Sequence, residues 1–488
     1  MSGIANEVLD RFATMNSRRT FLRKSTLALG GVALGGLLGC GPDVEADTLP
    51  QSVRQALRHA PRAKRVIYLH MAGAPSQLEL FDYKPELERL HGQDCPASLL
   101  EGKRFAFIQG VPKMLGPQAT FGRYGESGAT VSNLLPHFQS VVDEVCFMKA
   151  VHTKEFNHAP AQLLMQTGDP RGGRPSLGSW LSYGLGSENE DLPSFMVLAS
   201  GGQEPSAGKR LWSSGFLPSI HQGIQVRTAG DPILHLSDPD DMSRDLRGRS
   251  IAAINKINKI QHEEVGNPET ITRIKQYEMA YRMQVSVPEV MDISKEPAAM
   301  HDFYGTEPGK TSFANNCLLA RRLAESGVRF VQLYHWGWDT HGTTASESLN
   351  IGLKDRCREI DRPMTALIAD LKQRGMLEDT LVVWGSEFGR TPMQENRGGT
   401  VNSFLGRDHN GEAFTMWMAG GGARPGVTYG QTDAIGYAGV ENRMHVHDVQ
   451  ATLLELMGFN HKKFTHSFQG RDFRLTDVHG EVIREVIG

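Results

Sequence analysis

Six short runs rich in β-branched and other apolar residues recur along the chain: Arg65–Leu69, Val145–Met148, Phe195–Leu198, Val328–Tyr334, Thr380–Trp384 and Phe414–Met418. Most lack the polar alternation of a strand with one face in water. Such strands are covered on both faces, which is the habit of a largely parallel sheet held between helices. Between two of them, Leu353, Cys357, Ile360, Met364, Leu367 and Leu371 recur at steps of three and four, and this spacing predicts an amphipathic crossover helix. Phe313, Cys317, Ala320 and Ala324 repeat the pattern ahead of Val328. Helix and strand alternating at these lengths specify an α/β fold with a mostly parallel central sheet. Residues 240–300 are charged and helical in pattern with few strand signals, and read as a helical insertion.

The composition narrows the function classes. With 53 Gly and 24 Pro in 488 residues the chain is rich in loops, as α/β enzymes are, and unlike a helical bundle. A net charge of −3 argues against a basic nucleic-acid surface. Beyond the first forty positions no apolar run is long enough to span a bilayer. Cys95, Cys146, Cys317 and Cys357 lack the close spacing of a zinc knuckle. Their even number permits disulfides in an oxidising compartment without fixing a pairing, yet Cys317 and Cys357 lie on apolar helix faces, which favours buried free thiols.

The N-terminus has its own logic. Ser17-Arg18-Arg19-Thr20-Phe21-Leu22-Arg23 precedes an uncharged stretch of Ala, Gly and Leu from Ser25 to Leu38, the pattern of a twin-arginine export signal. Leu37-Leu38-Gly39-Cys40 is similar to a lipobox, whose cysteine would be acylated and held to a membrane face by buried CH₂ groups. The expected organisation is a signal over 1–39, a polar tether over 40–62 and one α/β domain over 63–488, with translation starting at Met1 or Met15. Twin-arginine machinery, a membrane anchor at Cys40 and a periplasmic or cell-surface location follow as expectations.

In a sheet of this kind ligands bind beyond the carboxyl ends of the strands. The residues there are polar in a consistent way: Asp339 and His341 after Val328–Tyr334, Glu387 and Arg390 after Thr380–Trp384, and His152, Asn157 and His158 after Val145–Met148. Arg407, Asp408 and His409 stand just before Phe414. Mixed carboxylate and imidazole donors suit Zn²⁺ or Mn²⁺ better than Ca²⁺. The competing reading is ordinary loop chemistry, with Glu387 paired to Arg390 and Asp408 to Arg407. For His447 and Asp448, which open the pattern Val446–Leu456, helix capping is preferred over ligation.

Taken together, Gly73-Ala74-Pro75-Ser76-Gln77, Phe81-Asp82-Tyr83-Lys84-Pro85, Trp338-Asp339-Thr340-His341, Gly385-Ser386-Glu387-Phe388-Gly389-Arg390-Thr391-Pro392 and Gly470-Arg471-Asp472 resemble an exported sulfatase-like bacterial family. That family is domain of unknown function 1501, in the alkaline phosphatase and sulfatase superfamily. The resemblance runs from about Lys64 to the C-terminus and implies a three-layer sandwich and a metal-dependent hydrolase of sulfate or phosphate esters. It implies a metal set of Asp339, His341, Glu387, His409 and Asp408. The sulfatase nucleophile motif is replaced by His158-Ala159-Pro160-Ala161-Gln162, with His158 in the nucleophile's place and no activating Arg, which argues against formylglycine chemistry. The Asp-Asp expected after the first strand is missing, and only His70, Glu79 and Asp82 lie near it.

Two functions compete on these residues. In the first, a bound ion polarises a small-molecule or polysaccharide ester, His158 acts as ligand, acid or nucleophile, and Arg390 or Arg407 clamps the anion. In the second, the scaffold binds polysaccharide or supports assembly without turnover, with Trp336 and Trp338 as stacking surfaces.

Overall fold

The computed structural model describes residues 51–228, 232–233, 243–266 and 268–488. Arg18, Arg19, Cys40 and the first part of the expected tether lie outside them. All six apolar runs are strands of one nine-stranded sheet. In chain order its strands are β1 (Arg65–Ala72), β2 (Val145–His152), β3 (Phe195–Ser200), β4 (Ile224–Gln225), β5 (Phe330–Trp336), β6 (Thr380–Gly385), β7 (Phe414–Ala419), β8 (Thr428–Tyr429) and β9 (Met444–His445). They lie in the order β8-β2-β7-β6-β1-β5-β3-β4, with β9 also on β2. Every pairing is parallel except those of β7 with β2 and β6.

The burial of both faces follows from what covers them. On one face Ile67, Leu69 and Met71 of β1 share a core with Cys317 and Leu318 of α5 (Phe313–Glu325) and with Ile360 and Leu367 of α6 (Gly352–Gln373). On the other, the Phe195 and Phe330 rings meet edge to face at 5.1 Å beneath α2 (Leu177–Leu185). A Cβ at Gly178 of α2 would stand 2.7 Å from both rings, so glycine sets how closely that helix approaches. The result is the expected α/β architecture, with the mostly parallel sheet as its middle layer. The four cysteines of the described residues are free and buried, which settles Cys317 and Cys357 as core thiols.

The insertion begins with a helical hairpin of α3 (Arg244–Val265) and α4 (Pro268–Met291). Ile274, Met283, Val287 and Met291 of α4 are buried. Residues 51–62 are not the free end of a tether. The helix Gln51–Ala56 buries Val53 and Ala56, and the amides of Arg58 and Arg62 bond Gly458 O and Leu456 O at the end of α7 (Val446–Leu456). At the start of α7, Asp448 and His445 form a reciprocal capping box, so the capping reading holds there. No helix among the described residues is long and apolar enough to cross a membrane.

One topological fact places the site. The carboxyl ends of β1, β2, β5 and β6 lie on a single edge, and because β7 runs against β2 and β6 its entry end lies on that edge too. Residues leaving four strands and entering a fifth therefore meet.

The packing of the α2 face also sets a pH response. His221 is held neutral, its pKa lowered to about 4 by burial and by the nearby Lys275 and His466 charges, and its Nδ1 lies 2.9 Å from Ser182 Oγ. Its folded pKa is below the unfolded value, so the unfolded chain binds the extra proton first and stability is lost as pH falls from about 6.5 towards 4. The melting temperature should decline over that window, and less steeply in His221→Gln; identical slopes would remove His221 from the account.

Candidate metal centre

Three segments deliver the donors to the shared edge. β5 ends at Trp336 and the chain turns through Gly337 to Asp339 and His341. His158 is the first residue of α1 (His158–Thr167), which follows β2. His409 belongs to the short strand Arg407–Asn410, which pairs with Gly389–Gln394 ahead of β7. Gly73, at the exit of β1, has φ +111°, and a Cβ there would stand 2.7 Å from Asp339 N. The first strand and the Asp339 loop can touch only because that residue is glycine.

The ligand atoms of His158, Asp339, His341 and His409 all lie within 4.8 Å of one another. Three imidazole Nε2 atoms surround a single oxygen, Asp339 Oδ1, at 2.8 Å (His341), 3.2 Å (His158) and 3.4 Å (His409). His341 Nε2 and His409 Nε2 are 3.1 Å apart. The opposite nitrogen of every ring faces an atom that can only accept: Glu387 Oε1 at 2.8 Å from His158 Nδ1, Glu395 Oε2 beside His341 Nδ1, and Phe156 O at 2.7 Å from His409 Nδ1. Each Nδ1 is therefore the donor, and in the neutral ring the Nε2 lone pair is left pointing inward. Lone pairs and a carboxylate crowded on one point repel unless a proton or a cation lies among them. His158 Nε2 is buried and makes no hydrogen bond, its contact with Asp339 lacking the alignment of one.

The electrostatics agree. Burial works against ionisation of Asp339, but the Arg390 guanidinium beside it and the three imidazoles packed around it hold it well below the usual carboxylate range. Burial, with the positive charge of Arg390, drops His409 to about 3, so it is a neutral donor. At His158 burial also disfavours the cation, yet Asp339 and Glu387 on its two sides outweigh that and push it up to about 9. Phe107 closes the site edge-on to His341 and His409, with ring centroids at 5.0 and 5.5 Å.

Three expected roles change. Glu387 lies behind the cluster, completely buried, accepting from His158 Nδ1, His70 Nε2, Gln162 Nε2, Ser386 Oγ and Gly73 N. It holds His158 in place and is not among the converging donors. Arg390 is no anion clamp: it is 0 % exposed and its N–H groups go to Ala74 O, Gly73 O, Arg407 O and Asp339 Oδ1. Asp408 spends its carboxylate on the amides of Phe107, Ile108 and His409, although it also lies near His341 and Glu395. Neither expected loop pair forms, since Arg390 binds Asp339 and Arg407 binds Glu79. Arg407 is fully buried as well and has no free fork for a substrate. Trp338 belongs to the core and donates to His335 Nδ1, leaving only Trp336 partly exposed. His152 stands apart against His445.

The sequence reading passes over two positioning residues. Glu395 lies in a hairpin loop whose partner is set by tertiary folding. Gln162 follows His158 by one helical turn, and that i, i+4 spacing would have been the clue.

Replacing Arg390 by Met should cost about 3–5 kcal/mol, because it strips the partly buried Asp339 of its counter-charge and three carbonyls of their donors. The urea midpoint reads this directly. A variant as stable as the parent, with only a raised KM, would restore Arg390 to the substrate.

The family model described as Protein of unknown function (DUF1501) matches residues 63–487. No curated protein matches the sequence. Similar solved structures include the PsFucS1 sulfatase from Pseudoalteromonas sp., 13% identical over 86% of this chain and 72% of that one, with a TM-score of 0.35. The alkaline phosphatase from the Antarctic bacterium TAB5 is 10% identical over 82% of this chain and 100% of its own, with a TM-score of 0.32. The phosphonate monoester hydrolase of Agrobacterium radiobacter is 10% identical over 81% and 74%, with a TM-score of 0.32. The match to the family model covers nearly all of the described chain, and the protein belongs to the DUF1501 family.

Proposed function

We propose that this chain is an exported, lipid-anchored, metal-dependent hydrolase of a sulfate or phosphate ester. The observation that carries the hydrolase reading is the convergence of three Nε2 atoms on Asp339 Oδ1, each ring anchored from behind by an acceptor. Anchoring of that kind is how ligating histidines are oriented, and it raises their basicity. Two imidazole nitrogens, from His341 and His409, and the Asp339 carboxylate oxygen suit Zn²⁺ first and Mn²⁺ next, and do not suit Ca²⁺. Arg18, Arg19 and Cys40 support export and anchoring at the periplasmic or cell-surface side.

Asp339, His341 and His409 are the holders, being tied by Arg390, Glu395 and Phe156 O respectively. An ion there supplies Lewis acidity towards an ester oxygen. His158 is the least buried of the three rings, its side chain 14 % exposed against 5 % for His341 and 2 % for His409, and its Nε2 faces inward to the ion site. With Glu387 fixing Nδ1, it holds a proton at Nε2 and can pass it to a leaving oxygen. Phe107 and Phe388, whose ring lies 4.9 Å from that of His158, exclude water from two sides.

A second reading, a polysaccharide-binding or assembly protein without turnover, is favoured by one fact: both arginines at the site are spent inside the fold.

Purified protein should contain about one equivalent of zinc or manganese by elemental mass spectrometry, lost in His341→Ala. Turnover of 4-nitrophenyl sulfate, phosphate or phosphonate esters should vanish on chelation and return with metal. Glu395→Gln should weaken metal affinity by about 10–100-fold in chelator competition. Metal-free protein, or no turnover of any of these esters, would leave only the binder.

A further inference from the structure

We propose a second anion-binding subsite beside the candidate metal centre, which makes the substrate a polyanion: an ester that carries another sulfate or carboxylate close to the scissile group. This rests on the hydrolase reading for its meaning, but not for its existence.

The subsite is a groove of about 520 Å³ on the same edge of the sheet. It opens past the ends of β3 and β5, next to the strand that delivers Asp339. Three guanidinium groups from one helix, Arg356, Arg358 and Arg362 of α6, line one side. The first turn of α5 lines another, where Ser312 caps the helix and the amides of Phe313 and Ala314 have no intrahelical acceptor. A thirteen-residue helix presents the positive end of its dipole there.

The charge balance of the groove is positive. Its lining carboxylate, Glu359, is engaged by His335 Nε2 at 3.0 Å and by Arg356 NH1 at 2.7 Å. Arg358 pairs with Asp355 through NH1 alone, and Arg362 bonds Phe303 O through Nε, so the forks of both keep donors that face water. Three guanidinium groups beside a helix N-terminus, in a chain whose net charge is −3, do not arise from a general basic bias. Arginine forks bind sulfate and carboxylate through paired N–H groups, which lysine cannot reproduce.

The groove also has the right neighbour. A Cβ on Gly337 would stand 3.0 Å from Arg356 Cδ, and Gly337 is two residues from Asp339, at most about 7.6 Å of chain. The partly exposed Trp336 ends β5 between them. One extended molecule can therefore place an ester at His158 and a second anion among the arginines. Since Arg390 and Arg407 are committed inside the fold, this groove supplies the substrate-facing cations that the metal centre lacks.

The test uses the whole chain, the double variant Arg356→Gln/Arg362→Gln, and its charge-keeping counterpart Arg356→Lys/Arg362→Lys. A heparin-derived tetrasaccharide, with sulfates and carboxylates on neighbouring rings, is titrated calorimetrically. Binding should weaken by about tenfold or more in the Gln variant, as expected for one or more charge-assisted hydrogen bonds lost, and partly recover in the Lys variant. Turnover of 4-nitrophenyl sulfate, which has no second anion, should be unchanged in both. No binding to the parent protein, or equal binding to parent and Gln variant, overturns the subsite. Arginine-dependent binding together with no turnover of any ester keeps the subsite and removes the hydrolase reading.

Discussion

The structure is organised around one carboxylate oxygen. Asp339 Oδ1 receives a guanidinium and faces three imidazoles, and each of those partners comes from a different part of the chain. Assembling them requires the exits of β1, β2, β5 and β6 and the entry of β7 to arrive together. Arg390 ties that arrangement down by bonding the carbonyls of Gly73 and Ala74 as well as Asp339. A partly buried charge of this kind is tolerated because a fully buried counter-charge lies against it. The pair adds little net stability compared with an apolar substitute, but it selects one geometry, since the alternatives leave a charge unpaired.

Behind the converging atoms lies a second layer of the same logic. Glu387 accepts five hydrogen bonds, which with His158 and His70 holds it ionised in spite of complete burial. Arg407 and Glu79 form another fully buried pair, and through Arg407 the hairpin that carries His409 is attached to the region after β1. The acidic and basic residues near the site are thus mostly scaffolding, and the chemistry falls to a few atoms that the scaffolding aims. This is why a charged residue in a characteristic motif is not by that fact a ligand or a clamp.

The edge of the sheet extends this centre into a longer surface. The arginine groove and the histidine cluster are separated by the short turn from Trp336 to Asp339, and they differ in chemistry: the first offers exposed cations, the second inward-facing imidazole nitrogens and a carboxylate. The residues that follow the helical insertion, Tyr304 and Gly305, form part of the groove wall. The insertion thereby leads into the part of the edge that holds the arginine groove, while the sheet supplies the part that holds the histidine cluster.

Patterns local in the chain were legible from the sequence. The six strands, the crossover helices α5 and α6 and the cap at Asp448 follow from apolar spacing and capping chemistry, which neighbouring residues determine among themselves. The gathering of His158, Asp339, His341 and His409 was also legible, because a parallel sheet puts strand exits on one edge. Only the tertiary structure decided what those residues do. Whether Glu387 meets a cation or a histidine ring, whether Arg390 points to substrate or to backbone carbonyls, and that Glu395 stands behind His341 all depend on distances between segments hundreds of residues apart or on opposite sides of a hairpin. Electrostatic pairing in a buried site is settled by a few tenths of an ångström and by which donors remain free, and neither is a property of sequence spacing.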